Sequence, residues 1–303
     1  MNETLNENHD ASRCGYVALL GRPNVGKSTL LNHVLRQKLA ITSRKPQTTR
    51  HNLLGIDTEG SRQALYIDTP GLHGHEGRAL NKYMVAEAQS VLADVDLRVV
   101  LIEAGRTADL DDFVIRMVEK VEGPSLAVLS KVDLLQNKAE LLPQMEKLGS
   151  LGVFTDIIPM SALKNDGIEV FRQQVFSMLP EAPHLYDPEQ LTDRSERHLV
   201  AEIIREKVMR QLGDEIPHSA AVLIERYREG DSLTEIHADI YVERNGQKQI
   251  VIGQNGSRLK LIGQEARVDI EKLLGQKVML HLWVKVRKGW TNNAGLLRRL
   301  GYE

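Results

Sequence analysis

The sequence predicts an α/β domain, with a mostly parallel sheet and helices on both faces, followed by a smaller α+β domain. Between residues 16 and 179, short apolar runs alternate with amphipathic stretches of helical spacing. This alternation is typical of repeated β-helix-β units, which build parallel sheets and bind ligands at the carboxyl ends of the strands. After residue 195 the alternation gives way to one long helix and a hairpin. The chain of 303 residues is also long enough for about two domains.

Apolar runs of four or five residues predict the strands of the first domain, at 16–20, 53–56, 64–67, 99–102, 126–129 and 156–159. Residues 1–13 are polar and predict a disordered tail, so this domain is expected to span 14–180. Residues 181–194 contain two prolines and no periodicity, as in a linker. The second domain, 195–303, is expected to contain a long helix, a hairpin and a final strand, at 199–212, 220–227 with 236–242, and 278–286.

Composition indicates a globular protein of the cytosol whose basic residues are concentrated at one end. The chain is 42% hydrophobic, and no apolar run approaches the ~20 residues of a membrane span. Its polar start is unlike a signal peptide, and the single cysteine, Cys14, has no partner for an internal disulfide. Residues 241–303 contain 12 Lys or Arg against 5 Asp or Glu, whereas residues 1–240 contain 27 against 36. The basic end is therefore a candidate nucleic-acid surface.

Residues 21–28, GRPNVGKS, have the pattern of a loop that binds phosphate between a strand and a helix. Gly21 and Gly26 let the backbone turn its N–H groups toward a β-phosphate at the positive end of the helix. Lys27 supplies a point charge for the phosphate oxygens, and the hydroxyl of Ser28 is a ligand for Mg²⁺. The predicted nucleotide contacts of this loop also include Asn24, Val25 and Thr29.

Two further segments predict how a γ-phosphate is sensed. Asp68-Thr-Pro-Gly71 follows a strand, where Asp68 can hold Mg²⁺ through a water and the Gly71 N–H can meet the γ-phosphate. Residues 37–50 are polar and include SRKPQTTR, so we expect an exposed, mobile segment that cannot bury itself. A threonine of this segment is expected to close onto Mg²⁺ when the triphosphate is bound, with Thr49 favoured over Thr48.

Two short segments predict guanine as the base. Ser130-Lys131-Val-Asp133 follows a strand, and the carboxylate of Asp133 can accept hydrogen bonds from the ring N–H and the exocyclic amine of guanine. Ser161-Ala162 follows the next strand and can present a backbone N–H to the guanine oxygen. Adenine lacks both of these features, so the sequence selects GTP over ATP.

These motifs resemble those of the translation-factor-related GTPases, and among them the Era-type ribosome-assembly GTPases. The resemblance covers nearly the whole chain after residue 14, through GRPNVGKST, PQTTRH, DTPGLH, LNKYM, SKVD, MSA and TDRSERHLVAEIIREKVMRQLGDEIPHS. It implies a GTPase domain followed by a type II KH domain that binds the 3′ end of 16S ribosomal RNA in maturing 30S subunits. It also implies peripheral contact with the inner face of the cell membrane, for which the sequence shows no anchor. A monomer is expected.

Two residues depart from patterns that related GTPases share. The base motif of the family usually begins with asparagine, whereas Ser130 is shorter and has no amide. Nucleotide selectivity should survive on Asp133, and the change bears on affinity for the base and on the brace of the phosphate loop. Leu72 follows Gly71, where Ras-like enzymes have a glutamine that orients water, so intrinsic hydrolysis should be slow. Asn24 then has two open interpretations, a residue that helps hold K⁺ near the phosphates and a brace of the loop.

The second domain contains a GxxG loop, Gly253-Gln254-Asn255-Gly256, ahead of a stretch of helical spacing. Such a loop clamps the backbone of about four unpaired nucleotides in KH domains. We expect phosphate contacts from this loop and from nearby basic residues, Arg258, Lys260, Lys285, Arg287, Lys288, Arg298 and Arg299. Val251, Ile252, Leu259 and Ile262 are candidates for the apolar groove beside it, with a core position as the alternative. Propensity favours a strand at 250–252, whereas KH architecture implies the end of a short helix.

Two functions stay open at this point. In the first, the chain is a GTP-hydrolysing switch whose nucleotide state controls how the KH domain docks on RNA. In the second, it is an RNA-binding scaffold that uses GTP for stability and hydrolyses it too slowly to matter, an alternative that Ser130 and Leu72 favour. A tRNA-modification or double-domain GTPase is disfavoured, because the sequence has one phosphate loop and no cysteine near its end.

Overall fold

A computed structural model describes residues 11–43, 48–71, 86, 90–91, 94–105, 112–212, 220–292, 295, 297 and 300. The first domain alternates strands and helices along the chain. Its strands are β1 Arg13–Leu20, β2 Leu53–Glu59, β3 Arg62–Asp68, β4 Leu97–Glu103, β5 Ser125–Ser130 and β6 Asp156–Pro159. The described helices of this domain are α1 Lys27–Val34, α2 Asp112–Glu119, α3 Leu141–Ser150 and α4 Ile168–Met178. The predicted strands are thus all present, which confirms the α/β fold.

The six strands form one sheet in the order β2-β3-β1-β4-β5-β6. All neighbouring pairs are parallel except β2 with β3, which are joined as an antiparallel hairpin. Strands β2 and β3 lie on one side of β1, and the later strands β4, β5 and β6 lie on the other. The order of the strands in the sheet therefore reverses at β1. Ligands bind in the crevice at such a reversal, at the carboxyl ends of the strands. The segment 21–28 leaves β1 at this crevice.

The core of this domain lies on both faces of the sheet. One apolar cluster joins α1 and α4 to one face, with Leu31 and Phe171 fully buried, and the other joins α2 and α3 to the opposite face, with Val114 and Leu148 fully buried. Strands buried on both faces read as continuous apolar runs, which is why the sequence located them well.

The predicted tail and linker are more tightly held than their composition indicates. Residues 1–10 lie outside the described residues, but Arg13, placed in the tail by the prediction, begins β1 and pairs with Arg62. The linker 181–194 follows the sheet: the side chain of Gln63 bonds the backbone of Leu185 and Tyr186, and the N–H of Ile56 donates to Leu191 O. These partners belong to distant strands, so local composition could not reveal them.

In the described part of the second domain, three helices pack on one face of a three-stranded sheet. Its elements are α5 Glu196–Gln211, β7 Ala221–Arg228, β8 Leu233–Val242, α6 Asn245–Ile252, α7 Ser257–Leu274 and β9 Lys277–Val286. The sheet order is β7-β8-β9. Strands β7 and β8 form an antiparallel hairpin, and β8 and β9 are parallel. Residues 250–252 end helix α6, as KH architecture implies, so the strand that propensity favours there is wrong.

No described helix is long and apolar enough to cross a membrane.

Candidate functional site

The phosphate loop has the backbone that its glycines require. Gly26 has φ +114° and is the N-cap of α1, in a left-handed conformation that side chains rarely adopt. Gly21 also has positive φ, and a Cβ there would lie 2.6 Å from the carbonyl oxygen of Leu101. The loop therefore passes close to β4 and presents the N-terminus of α1 to a ligand, as phosphate binding demands.

Lys27 lies inside this loop. It is 5% exposed, and its Nζ donates to the carbonyl oxygens of Gly21 and Arg22 at 2.9 and 3.1 Å. The ammonium is thus held at the rim of the loop, where a phosphate oxygen can take the place of a carbonyl. A hydrogen bond from an ammonium to a phosphate oxygen is stronger than one between neutral groups, so this exchange is favourable.

Three oxygen-bearing side chains from separate segments converge beside the loop. Ser28 Oγ lies 2.9 Å from Thr49 Oγ1 and 2.6 Å from Asp68 Oδ2, and Thr49 Oγ1 lies 3.3 Å from the same carboxylate oxygen. Asp68 is fully buried, and its Oδ1 has no hydrogen-bond partner among the described residues. Burial raises the pKa of Asp68, whereas the charge of Lys27 and the hydroxyls of Ser28 and Thr49 lower it.

Mg²⁺ binds hard oxygen ligands, so it fits this set of hydroxyls with a buried carboxylate oxygen that has no hydrogen-bond partner among the described residues. Thr49 carries the hydroxyl that joins this set, as the sequence favours. The hydroxyl of Thr48 instead donates to Ser43 Oγ at 3.1 Å.

Gly71 approaches the loop from the other side. A Cβ at Gly71 would lie 2.7 Å from the Cα of Pro23, so only glycine allows this contact. The close approach places Gly71 with Gly26, Lys27 and Ser28 in the lining of one pocket, and its contact with a γ-phosphate stays a prediction. Leu72, expected to affect water positioning, lies outside the described residues.

A cavity of about 940 Å³ extends from the loop to the ends of β5 and β6 and includes Thr29, Lys131, Asp133 and Ala162 in its lining. Its size suits a nucleotide. Asp133 Oδ1 accepts a hydrogen bond from Ser161 Oγ at 2.5 Å, which orients the carboxylate. The N–H of Ser161 donates to Asp166 O at 3.0 Å, so the Ala162 N–H is the donor that the described residues leave for guanine.

Ser130 does brace the phosphate loop. Its Oγ is buried and lies 2.8 Å from Val25 O and 3.1 Å from Ile102 O. The side chain is shorter than that of asparagine, but the carbonyl of Val25 lies close enough for the hydroxyl. The structure therefore retains a link between the base motif and the phosphate loop.

The GxxG loop also stands at the start of a helix. Gly253 and Gly256 have φ +72° and +76°, and Gly256 is the N-cap of α7. A Cβ at Gly253 would lie 2.7 Å from the Cβ of Arg258, whereas a Cβ at Gly256 would meet nothing within 4 Å. The guanidinium of Arg258 donates to Ile250 O at 2.6 Å, which joins the two ends of the loop. Asn255 adopts a left-handed conformation between the glycines, and Gln254 and Lys260 are exposed.

An open groove of about 480 Å³ lies between α7 and β9, and Gly256, Leu259, Lys260 and Arg267 are among the residues that line it. Of the four apolar candidates, Leu259 lines this groove, whereas Val251 and Ile262 are fully buried in the core. Ile252 packs against the same core.

Lys285 and Arg287 are not brought together with the GxxG loop. The side chain of Val284 packs against the helices, so Lys285 and Arg287 point to the opposite face of the sheet. There the ammonium of Lys285 contacts Asp239, and Arg287 lies over the ring of Tyr241 at 6.0 Å. The prediction treated the two groups as one surface because sequence proximity carries no information on the face of the sheet. Arg298 and Arg299 lie outside the described residues.

Comparison with known proteins identifies both domains. The family described as "50S ribosome-binding GTPase" matches residues 16–131, and the KH domain family matches residues 215–291. GTPase Era of Ectopseudomonas mendocina is 53% identical over 291 residues, which cover 96% of this chain and 97% of that protein. GTPase Era of Marinobacter nauticus is 52% identical over 290 residues, or 96% and 95% of the two chains. The chain belongs to the Era family of GTPases.

Solved structures of Era have the same fold over the whole chain. One is Era in complex with MgGDPNP and nucleotides 1506–1542 of 16S ribosomal RNA, and another is a variant of Aquifex aeolicus Era bound to GDP and AlF₄⁻. Both are 35% identical to this chain and cover 96% of it and 99% of their own length, with TM-scores of 0.92 and 0.91. As an Era GTPase, the chain hydrolyses GTP and uses Mg²⁺.

In this Era-family chain the segment that precedes the magnesium site is packed against the KH domain. The polar composition of 37–50 predicts an exposed segment, but Thr48 and Arg50 are buried. The guanidinium of Arg205, on α5, donates to Thr48 O at 2.5 Å, and that of Arg50 donates to Ala220 O at 2.9 Å. The expectation of exposure is wrong for Thr48 and Arg50, because the second domain covers them. Residues 44–47 lie outside the described residues, so the mobility of the segment stays a prediction.

A carboxylate on the same helix holds the other end of the segment. Glu206 is fully buried, and it accepts hydrogen bonds from Lys38 Nζ at 2.6 Å, from the Thr42 N–H at 3.0 Å and from Arg210 at 2.9 Å. Arg210 also donates to Thr42 O and lines the nucleotide cavity. The sequence does not reveal these contacts, because charged residues on a helix ordinarily face solvent, whereas the structure buries Arg205 and Glu206 against the first domain.

The ion pair of Arg205 with Glu202 fixes this contact. Arg205 Nε and Nη2 donate to the two oxygens of Glu202 at 2.7 and 2.6 Å, and Arg205 is 1% exposed. Burial alone would raise the pKa of Glu202, but the charge and hydrogen bonds of Arg205, with smaller effects of His198 and His51, lower it from 4.5 to about 2. The pair therefore remains ionised at neutral pH, and the guanidinium stays in place against Thr48.

Proposed function

We propose that this chain is a GTP-hydrolysing switch that binds the 3′ end of 16S ribosomal RNA and assists maturation of the 30S subunit. The supporting observation is the contact between α5 of the KH domain and Thr48, the residue before the magnesium-site hydroxyl of Thr49. A segment that closes onto Mg²⁺ with GTP and releases after hydrolysis would move Thr48 as well. Because Arg205 holds Thr48, the nucleotide state would change how the two domains pack.

In this proposal the site residues have separate roles. Lys27 and the N-terminus of α1 hold the phosphates, and Ser28, Thr49 and Asp68 hold Mg²⁺, which stabilises charge on the transferred phosphate. Asp133 and the Ala162 N–H select guanine. The GxxG loop clamps the RNA backbone, and the groove beside Leu259 takes the unpaired bases. RNA of the same region, nucleotides 1506–1542, is bound by the structurally similar Era.

The test measures RNA affinity in the two nucleotide states. An RNA of the 16S 3′ end is titrated with protein loaded with GDPNP or with GDP, and binding is followed by fluorescence anisotropy. We expect affinities that differ by at least about 5-fold between the states, the lower end of typical coupling between sites. Equal affinities, together with phosphate release that RNA leaves unchanged, would favour the scaffold over the switch.

Variants separate the contact from the binding loop. In the double variant Glu202→Gln/Arg205→Met no single buried charge is left behind, and the difference between the two nucleotide states should disappear while RNA binding persists. Arg197→Met is the matched control, because Arg197 lies on the same helix but donates to Ile224 O within the KH domain. Loss of the difference in both variants would show that any change in α5 suffices and would contradict the role of Arg205.

The loop is tested by Gly253→Asp with Gly256→Asp, which adds negative charge and side chains where the phosphates of the RNA would lie. RNA binding should be lost in both nucleotide states. Gly246→Asp adds the same charge on α6, where a Cβ meets nothing within 4 Å, and should bind RNA normally. Full RNA binding by the double variant would exclude this loop as the clamp.

A role for K⁺ is a second part of the proposal. Asn24 has φ +64° and lines the phosphate end of the nucleotide site, and Leu72 offers no side chain that orients water. An ion held beside Asn24 would supply positive charge where other GTPases use an arginine finger. Faster turnover in KCl than in NaCl supports this role, and equal rates leave Asn24 as a brace of the loop.

We propose that the protein works in the cytoplasm, with peripheral contact at the inner face of the cell membrane as implied for the family. Cosedimentation with vesicles of anionic lipid tests that contact. Recovery of all the protein in the supernatant would contradict it.

A further inference from the structure

The face of the KH sheet that points away from the helices has an unused cluster of metal-binding side chains. Residues 236, 238 and 240 of β8 are buried against the helices, so the residues between them point to the outer face. Trp290 and Leu297 pack on one end of that face, against Ala221 and Tyr241. The other end holds Glu235, His237 and His281, which are all partly exposed.

The register of the two strands places these three side chains together. His237 and His281 are direct partners across the parallel strands β8 and β9, and Glu235 lies two residues before His237 on the same face. The imidazole centroids are 4.7 Å apart, and His237 Nε2 lies 2.7 Å from Glu235 Oε1. One ligand atom from each residue lies within 4.8 Å of the other two.

We propose that Glu235, His237 and His281 form a site for one late first-row divalent metal ion, with Zn²⁺ as the representative. Two imidazoles and a carboxylate are the donors that Zn²⁺, Co²⁺, Ni²⁺ and Cu²⁺ bind, whereas Mg²⁺ takes oxygen ligands. Zinc bound tetrahedrally at about 2.0–2.1 Å from each nitrogen needs ligand atoms about 3.3 Å apart. Rotation of partly exposed side chains is enough to close the cluster to that spacing, and water completes the coordination.

Two neighbours tune this site. Arg226 of β7 is the register partner of His237, so a positive charge lies next to the cluster and weakens cation binding. Trp283, on the same face of β9, lies with its ring centroid 5.2 Å from that of His237 and 5.9 Å from that of His281. Trp283 forms a wall of the site and is 46% exposed, whereas the other tryptophan of the chain, Trp290, is fully buried.

The experiment uses the full chain without a polyhistidine tag, saturated with Mg²⁺ and GDP so that the nucleotide site is occupied. Zn²⁺ is titrated by calorimetry, and Ni²⁺ or Cu²⁺ is titrated while tryptophan fluorescence is recorded, since these ions quench a nearby indole. We expect one Zn²⁺ per chain and quenching of part of the emission. Trp283→Phe should abolish the quenching while Zn²⁺ still binds.

Substitutions that weaken and substitutions that strengthen Zn²⁺ binding locate the ion. His237→Asn and His281→Asn should each weaken Zn²⁺ binding by at least the roughly 10-fold that follows loss of a supporting contact around a metal. Arg226→Gln should tighten it, because a nearby positive charge is removed. His33→Asn, the same change on α1, is the matched control and should bind like the parent. Absence of Zn²⁺ binding, or equal binding by the His281→Asn and His33→Asn variants, would overturn the proposal.

Discussion

The phosphate loop and the GxxG loop solve a similar problem in different surroundings. Each ends in a glycine with positive φ, Gly26 or Gly256, that caps the N-terminus of a helix and would have no neighbour within 4 Å of a Cβ. Each therefore presents backbone N–H groups and a positive helix end to a phosphate. In the first loop the lysine is buried and the loop borders a cavity of about 940 Å³, whereas in the second Lys260 is exposed beside a groove of about 480 Å³.

This difference determines what each loop can discriminate. Inside the first cavity, charges act in a medium of low dielectric constant, and an unmatched polar atom of the wrong base is costly. At the open groove, salt and water screen each contact, so the phosphates supply affinity with little selectivity. The same backbone motif thus serves a specific nucleotide site and a general RNA clamp.

The largest expected effect comes from removing the buried cation of the first loop. Lys27→Met keeps the length of the side chain but leaves the phosphates without its charge, and we expect GTP hydrolysis to fall by about 100-fold or more. Phosphate release under saturating GTP measures this, with calorimetry for affinity. Lys164→Met, at an exposed lysine near the base site, is the control. Unchanged hydrolysis in the Lys27 variant would mean that the buried charge of the first loop matters no more than the solvated charges of the second. Burial would then add nothing to phosphate binding.

The next effect concerns selectivity at the other end of the same cavity. Asp133→Asn replaces a carboxylate that accepts from the ring N–H and amine of guanine with an amide that can donate to the carbonyl of xanthine. We expect GTP affinity to fall by roughly 10- to 100-fold, as for lost hydrogen bonds to a charged group, and XTP affinity to rise. Competition binding with the two nucleotides measures the change.

Asp166→Asn removes the same charge from an exposed position of the adjacent loop and should leave the preference unchanged. A similar loss of GTP affinity in both variants would show that net charge, rather than the hydrogen bonds of Asp133, selects the base.

The sequence predicts the backbone of the two loops better than it predicts the contacts that other segments make with them. GRPNVGKS and GQNG are local motifs whose glycines, lysine and helix start lie within a few residues, so their backbone follows from the sequence. The joining of Ser28 and Asp68 could be predicted as well, because they follow the parallel strands β1 and β3, which end at one edge of the sheet. Thr49 reaches the same edge because the antiparallel strand β2 begins there, with Leu53 opposite Asp68. The site roles of these residues stay predictions.

Contacts between residues that are distant in the sequence could not be predicted in this way. Arg205 and Glu206 lie on the charged side of α5, where helical periodicity predicts solvent. Only the fold places Lys38, Thr42 and Thr48 against them. Likewise, alternation along β9 shows that Lys285 and Arg287 share a face, but the side on which the helices pack is a tertiary property. Burial by a distant segment leaves no local signal in the buried residues.

Salt distinguishes the loops by a smaller effect. A KH loop clamps the RNA backbone through solvated contacts, so its affinity should fall by about 10-fold between roughly 50 and 200 mM KCl, as for two or three phosphate contacts to a single strand. GTP held by the buried Lys27 should lose less affinity over the same range, because buried charges are screened less. Anisotropy with the RNA and calorimetry with GDPNP provide the two slopes. Equal slopes would contradict the difference in enclosure.

The smallest effect lies in the segment that packs against the KH domain, where His51 lies edge-on against His198 of α5 with ring centroids 5.8 Å apart. Burial lowers the pKa of His51 from 6.5 to about 3, and burial lowers that of His198 as well. Below pH 6.5 the unfolded chain takes up protons that the folded chain excludes, so the free energy of unfolding falls as the pH falls toward 3. For His51 the slope of the free energy of unfolding against pH is at most about 1.4 kcal/mol per pH unit.

Urea unfolding at about pH 7.5 and about 5.5 should show this loss of stability. The loss should be smaller in His51→Gln and unchanged in His33→Gln. An identical loss in all three proteins would mean that the packing of the segment against the KH domain does not depend on a neutral His51.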